Sequence, residues 1–89
     1  HLLCTMDSRH YVEKGDQAFH ARKYIEALAY YNRAIELDLA NKVAWNNKGL
    51  TLVKLRREDE ALKAYKKALE IDPDYRTASK NLKKLLERQ

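Results

Sequence analysis

Residues 45–75 read WNNKGLTLVKLRREDEALKAYKKALEIDPDY. Trp45, Gly49, Ala61, Tyr65, Ala68 and Pro73 mix large and small residues over two helical segments. Large side chains fill the gaps between helices, and small ones let backbones approach. The same run occurs once before, weaker, 34 residues upstream. Residues 8–41 set against 42–75 give ten identities without a gap, from Lys14/Lys48 and Gly15/Gly49 to Glu36/Glu70 and Asp38/Asp72. Random pairing at such a composition gives roughly two or three. Tyr11/Trp45, Ile35/Leu69 and Leu37/Ile71 are conservative exchanges besides.

The composition is that of a helical chain. With 89 residues it forms one small domain with a modest core. It is 45% hydrophobic and 35% charged, with two glycines and one proline, which leaves little room for hairpins or long loops. Ala, Leu, Lys, Glu and Arg dominate, and all favour helix. The fold class is all-α, about five helices.

In chain order, residues 1–7 show no period and read as a tail. Asp7 or Ser8 caps a first helix whose face carries Tyr11, Gly15, Ala18 and an edge of Phe19. Gly15 in mid-helix costs up to about 1 kcal/mol against Ala, so packing must require it. Arg22-Lys23 links to a second helix from about Tyr24 to Leu37, striped by Ala27, Tyr31 and Ala34. So short a link makes the two antiparallel neighbours. Asn41 caps a third helix over about Val43–Leu55, and a fourth runs from about Glu58 to Ile71. Pro73 disfavours helix at Asp72 and suits the first turn of a last helix that ends near Arg88. Ala78, Leu82, Leu85 and Leu86 form its stripe.

A period of 34 with two helices per period is that of a helix-turn-helix solenoid. Its constellation resembles the tetratricopeptide repeat (TPR): Trp45, Gly49, Ala61, Tyr65, Ala68 and Pro73 in one unit, and Tyr11, Gly15, Ala27, Tyr31 and Ala34 in the other. The chain then divides into a tail (1–7), a first repeat (8–41), a second (42–75) and a C-terminal capping helix (76–89). Three positions depart from the family pattern. Leu39 stands in place of the first repeat's proline, which predicts a less sharply fixed junction. Lys14 and Lys48 stand where leucine is frequent, and Lys83 where a third repeat needs glycine. The leading end, residues 9–37, shows no cap, which leaves it to the tail, to further chain or to another copy.

The resemblance implies a protein-interaction scaffold, in which the first helix of each pair lines a concave groove for a partner peptide. By the family's register the groove takes Arg9, Val12, Glu13, Asp16, Phe19 and His20 from the first helix. The third supplies Val43, Asn46, Asn47, Leu50 and Lys54, and the last Thr77, Lys80, Asn81 and Lys84. Asn46 and Asn47 each donate and accept, which suits a peptide backbone. Phe19 and Leu50 suit an apolar side chain or ordinary core packing. A co-chaperone-like subclass clamps the C-terminal Glu-Glu-Val-Asp of chaperones with Lys, Asn, Asn, Lys and Arg. Only Asn47 matches that set. Val12, Asp16, Thr77 and Asn81 replace the other residues, and Asp16 repels a terminal carboxylate. Lys54, Lys80 and Lys84 still favour a less specific acidic segment.

Other classes find less support. The formal charge of +5 permits attraction to anions, and self-association or a nucleic-acid partner are the alternatives. Acidic residues interrupt the basic ones at Arg56-Arg57, Lys63, Lys66-Lys67 and Lys83-Lys84, as on a solvated outer face, so nucleic acid is the weaker alternative. His1, His10 and His20 show no metal-ligand spacing with Cys4 or a carboxylate pair. There is no glycine-rich phosphate loop and no nucleophile set, so neither enzyme chemistry nor a cofactor is expected. No apolar run nears the roughly 20 residues that span a bilayer. Leu2-Leu3-Cys4 is too short for a signal-peptide core. The single Cys4 excludes an internal disulfide and fits a reducing, cytoplasmic setting. The chain opens on His1, consistent with a fragment or with a lead-in ahead of Met6.

Overall fold

The computed structural model describes residues 7–88. It contains α1 (Ser8–His20), α2 (Tyr24–Leu37), α3 (Lys42–Lys54), α4 (Glu58–Ile71) and α5 (Arg76–Glu87). α1 packs on α2 and α3 on α4 as antiparallel pairs, the pairs stack through α2 and α3, and α5 closes on α4. Apart from Asp7, the expected tail lies outside the described residues, as does Cys4.

The helix starts follow from side-chain chemistry. Asp7 accepts from the backbone N–H of His10 at 3.0 Å, and Asn41 accepts from that of Ala44 at 3.1 Å. Ser8, the other candidate cap, is buried instead and donates to the Ala34 carbonyl at 2.8 Å. The Asn41 amide donates to the Ser8 hydroxyl at 2.7 Å, which ties the start of α3 to the first pair. At the turns after α1 and α3, Arg22 and Arg56 adopt φ of 64° and 63°. Around Arg22, Lys23 N–H bonds to Ala18 O at 2.8 Å and Arg22 N–H to Phe19 O at 3.0 Å, the crossed pair of a Schellman cap. The second turn repeats it, with Arg57 N–H to Leu52 O at 2.8 Å and Arg56 N–H to Val53 O at 3.0 Å. The chain reverses without glycine by forcing an arginine into the left-handed region.

The glycines serve packing. A Cβ on Gly15 would lie 2.5 Å from the ring of Tyr31, and one on Gly49 would lie 2.5 Å from that of Tyr65. Both rings are 1% exposed. Each glycine is thus the seat of a tyrosine from the paired helix, which explains its tolerated cost in mid-helix. Trp45 packs against the buried clusters of both pairs and joins them.

The junction at Leu39 is as well defined as the one at Pro73, contrary to expectation. Asp38 and Asp72 have nearly the same backbone angles, φ −151°, ψ 96° and φ −141°, ψ 96°. Each carboxylate accepts the N–H two residues on at 3.0 Å. The Trp45 indole N–H also donates to the Leu39 carbonyl at 3.0 Å. Pro73 lies in the turn and not in the first turn of α5, which starts at Arg76. Lys42 Nζ meets Asp72 Oδ2 at 2.5 Å and sits 5.1 Å from the centre of the Tyr75 ring, so it braces this second junction. Arg88 reaches Glu58 at 3.0 Å and fastens the end of α5.

The leading face is aromatic. Tyr11 stacks on Tyr30 with centroids 6.4 Å apart, and Arg33 lies 5.9 Å over Tyr11. Both tyrosines are half-buried against the first core cluster. Tyr30 occupies the repeat position of Ala64. At the other end Ala78 and Leu85 are buried, while Leu86 stays 51% exposed.

Candidate functional site

α1, α3 and α5 lie side by side, with contacts from α1 to α3 and from α3 to α5. Two recesses open along this face. One, about 750 Å³, is lined by Arg9, Val12 and Glu13 of α1, Asn41 to Val43 at the start of α3, and Ile71 and Asp72. The other, about 270 Å³, is lined by Asp16, Phe19, His20, Tyr31, Asn47 and Leu50. The structure thus gathers Arg9 and Val12 at one recess, and Asp16, Phe19, Asn47 and Leu50 at the other. Lys54, Lys80 and Lys84 are exposed and line neither. Phe19 also meets the Tyr24 ring edge-on at 5.3 Å, so it serves the core and the recess at once.

A relay of amides runs beneath the face. Asn81 Nδ2 donates to Asn46 Oδ1 at 3.0 Å, and Asn46 Nδ2 to Asn47 Oδ1 at 3.2 Å. Asn47 Nδ2 donates to Asp16 Oδ1 at 3.2 Å, and that oxygen also receives the Tyr31 hydroxyl at 2.5 Å. Every donor points the same way, and the chain ends on a carboxylate. It links α5, α3, α1 and α2 through one set of charge-terminated hydrogen bonds. The Tyr31 hydroxyl is pushed well above its ordinary pKa, first by burial and then by the adjacent Asp16, so it stays a donor.

The relay changes the standing of two groove candidates. Asn46 is 1% exposed with its amide spent on Asn47 and Asn81, so it sits under the groove and not on its surface. Asn81 is half-buried and holds Asn46. Asn47 remains at the recess, with one N–H given to Asp16. The sequence reading missed Tyr31, whose hydroxyl end reaches the recess from α2. Its spacing marked it as core, and only the packing of α1 on α2 reveals the contact with Asp16. Among the described residues there is no group of three His, Cys, Asp or Glu side chains able to hold a metal. No helix there is long and apolar enough to cross a membrane.

Tetratricopeptide-repeat family models match residues 11–41 and 43–75. The protein STIP1 homolog of Dictyostelium discoideum is 35% identical over 70 residues, 74% of this chain and 12% of that protein. Sperm-associated antigen 1 of Mus musculus is 40% identical over 75 residues, 84% of this chain and 8% of that protein. The chain therefore spans about a tenth of each of these relatives. The solved second TPR of Spaghetti (RPAP3), bound to the HSP90 peptide SRMEEVD, superposes with a TM-score of 0.89 at 24% identity. That superposition covers 96% of this chain and 79% of that one, and it establishes likeness of fold. Phased helix pairs, glycine-seated tyrosines and two family matches lead to one conclusion: the chain belongs to the tetratricopeptide repeat family.

Proposed function

We propose that this chain is a scaffold module that holds a partner peptide along the α1–α3–α5 face. The observation that carries it is the pair of recesses on that face, anchored from below by the amide relay. A floor fixed by its own hydrogen bonds loses little freedom when a ligand arrives. The Spaghetti domain of like fold is solved with a peptide of acidic character, which supports a peptide as ligand.

The charges favour one polarity. Glu13 and Asp16 outnumber Arg9 on the α1 side of this face, while Lys54 ends α3 and Lys80 and Lys84 follow on α5. An acidic stretch of the partner lies toward α5, and an apolar side chain enters beside Phe19 and Leu50. A clamp on a terminal carboxylate is disfavoured, because the Asn47 amide already serves Asp16, whose own charge opposes an anion in that recess. The module works without covalent chemistry and suits the cytoplasm. Stacking of a second copy on the Tyr11–Tyr30 face is the alternative, for which sedimentation should then show concentration-dependent association.

Fluorescence anisotropy with labelled SRMEEVD and with its C-terminal amide tests the reading. Both forms should bind similarly, and Lys80→Glu with Lys84→Glu should weaken each about tenfold or more. Unchanged affinity in the double variant would remove these lysines from the groove. Loss of binding on amidation alone would restore the carboxylate clamp.

A further inference from the structure

On α3, Asn47, Leu50 and Lys54 share one side, and Trp45, Lys48 and Leu52 lie about half a turn away. A third recess, a cleft of about 450 Å³, opens on that opposite side where α2, α3 and α4 meet. Leu28, Trp45, Leu52 and Ala64 give it an apolar floor. Lys48, Arg57, Lys63 and Lys67 surround the floor, with Glu60 as the one carboxylate. Arg57 already grips Glu60 through both Nε and Nη2, and Lys67 reaches Glu70 at 3.6 Å. Among the described residues, Lys48 and Lys63 have no ion-pair partner.

Lys48 is the unusual member. It is half-buried, and its ammonium sits 5.3 Å from the centre of the Trp45 ring. Burial lowers its pKa, more than the nearby Glu60 restores it. A partly desolvated cation held by a ring face and by a carboxylate that Arg57 already binds is stabilised further by any anion that reaches it. Its counterpart in the first repeat, Lys14, is exposed.

We propose that this cleft binds small organic anions that carry a phosphate or carboxylate on an apolar body. The cleft volume falls within the roughly 300–1,000 Å³ of small-ligand sites. The apolar body rests on Trp45 and Leu28, and the anionic group meets Lys48 and Lys63. The site faces away from the peptide groove, so the two are chemically and spatially separate.

Phenyl phosphate is the probe, with inorganic phosphate and phenol as controls. Trp45, the single tryptophan, lies in the floor and reports occupancy by its fluorescence, while backbone NMR shifts locate the site. Phenyl phosphate should give a saturable change centred on Trp45, Lys48 and Lys63, with each control at least about tenfold weaker. Lys48→Leu should fold and weaken phenyl phosphate about tenfold or more, leaving SRMEEVD binding unchanged. Lys63→Ala, an exposed and structurally mild change, should weaken it several-fold. Equal binding by the native chain and both variants would overturn the proposal. So would shifts that map elsewhere, or inorganic phosphate binding as tightly as phenyl phosphate.

Discussion

Tyr31 and Tyr65 occupy the same repeat position on the same kind of glycine seat, yet their hydroxyls differ. Tyr31 donates to Asp16, while the counterpart of Asp16 in the second repeat is Leu50. Tyr31→Phe should therefore cost about 1–2 kcal/mol of stability and Tyr65→Phe close to none, as read by urea unfolding. Burial also pushes the Tyr65 pKa up to about 12 from an ordinary 10.0, above its value in the unfolded chain. The stability linked to that proton is fully present below pH 10.0 and is lost as pH rises toward about 12. Alkaline unfolding followed by circular dichroism should start in that window, and Tyr65→Phe should move its onset upward. The sequence identified both tyrosines as core and Asp16 as a groove residue. It did not pair them, because the rotation that brings a hydroxyl to a carboxylate depends on how two helices settle against each other. For the same reason it placed Asn46 on the groove surface, where Asn81 and burial hold it beneath.

At the level of elements, the turns carry stored strain. A non-glycine residue in the left-handed region costs roughly 1–2 kcal/mol, and this chain accepts that at Arg22 and Arg56. The Schellman bonds around each arginine hold it there. Arg56→Gly relieves the strain and gives back part of the gain as unfolded-state entropy. It should stabilise the fold by about 0.5–1 kcal/mol, a rise in Tm of a few degrees for a domain of this size, measured by thermal melting. Helix periods and short links were legible, since apolar spacing and the 34-residue phase fix them. The left-handed arginines were not, because nothing in an Arg-Lys or Arg-Arg pair distinguishes a strained turn from an ordinary one. The missing proline at Leu39 misled in the other direction: Asp38 and Trp45 fix that junction by hydrogen bonding.

Across the whole molecule, stability is a matter of neighbours. α2, α3 and α4 have helices on both sides, while α5 is held mainly by α4. Hydrogen exchange should accordingly be slowest in α2 and α3 and fastest in α5. Asn81→Ala, which removes the donor at the head of the relay, should speed exchange in α5 several-fold and leave α1 and α2 nearly unchanged. Self-similarity made the solenoid legible, but the ends were not, because a repeat pattern describes interior contacts. The leading face carries Tyr11 and Tyr30, whose positions match Trp45 and Ala64 in the second repeat. That exchange has a genetic corollary. Ala64 is buried in the cluster against which Leu28 packs, so a tyrosine in its place must enter the adjoining cleft and repack its lining. Copying the codons for residues 42–75 keeps an alanine at the new seam, whereas a copy of 8–41 behind an existing unit puts Tyr30 there. Growth of the gene by unequal crossing-over should therefore ask less repacking at one repeat than at the other.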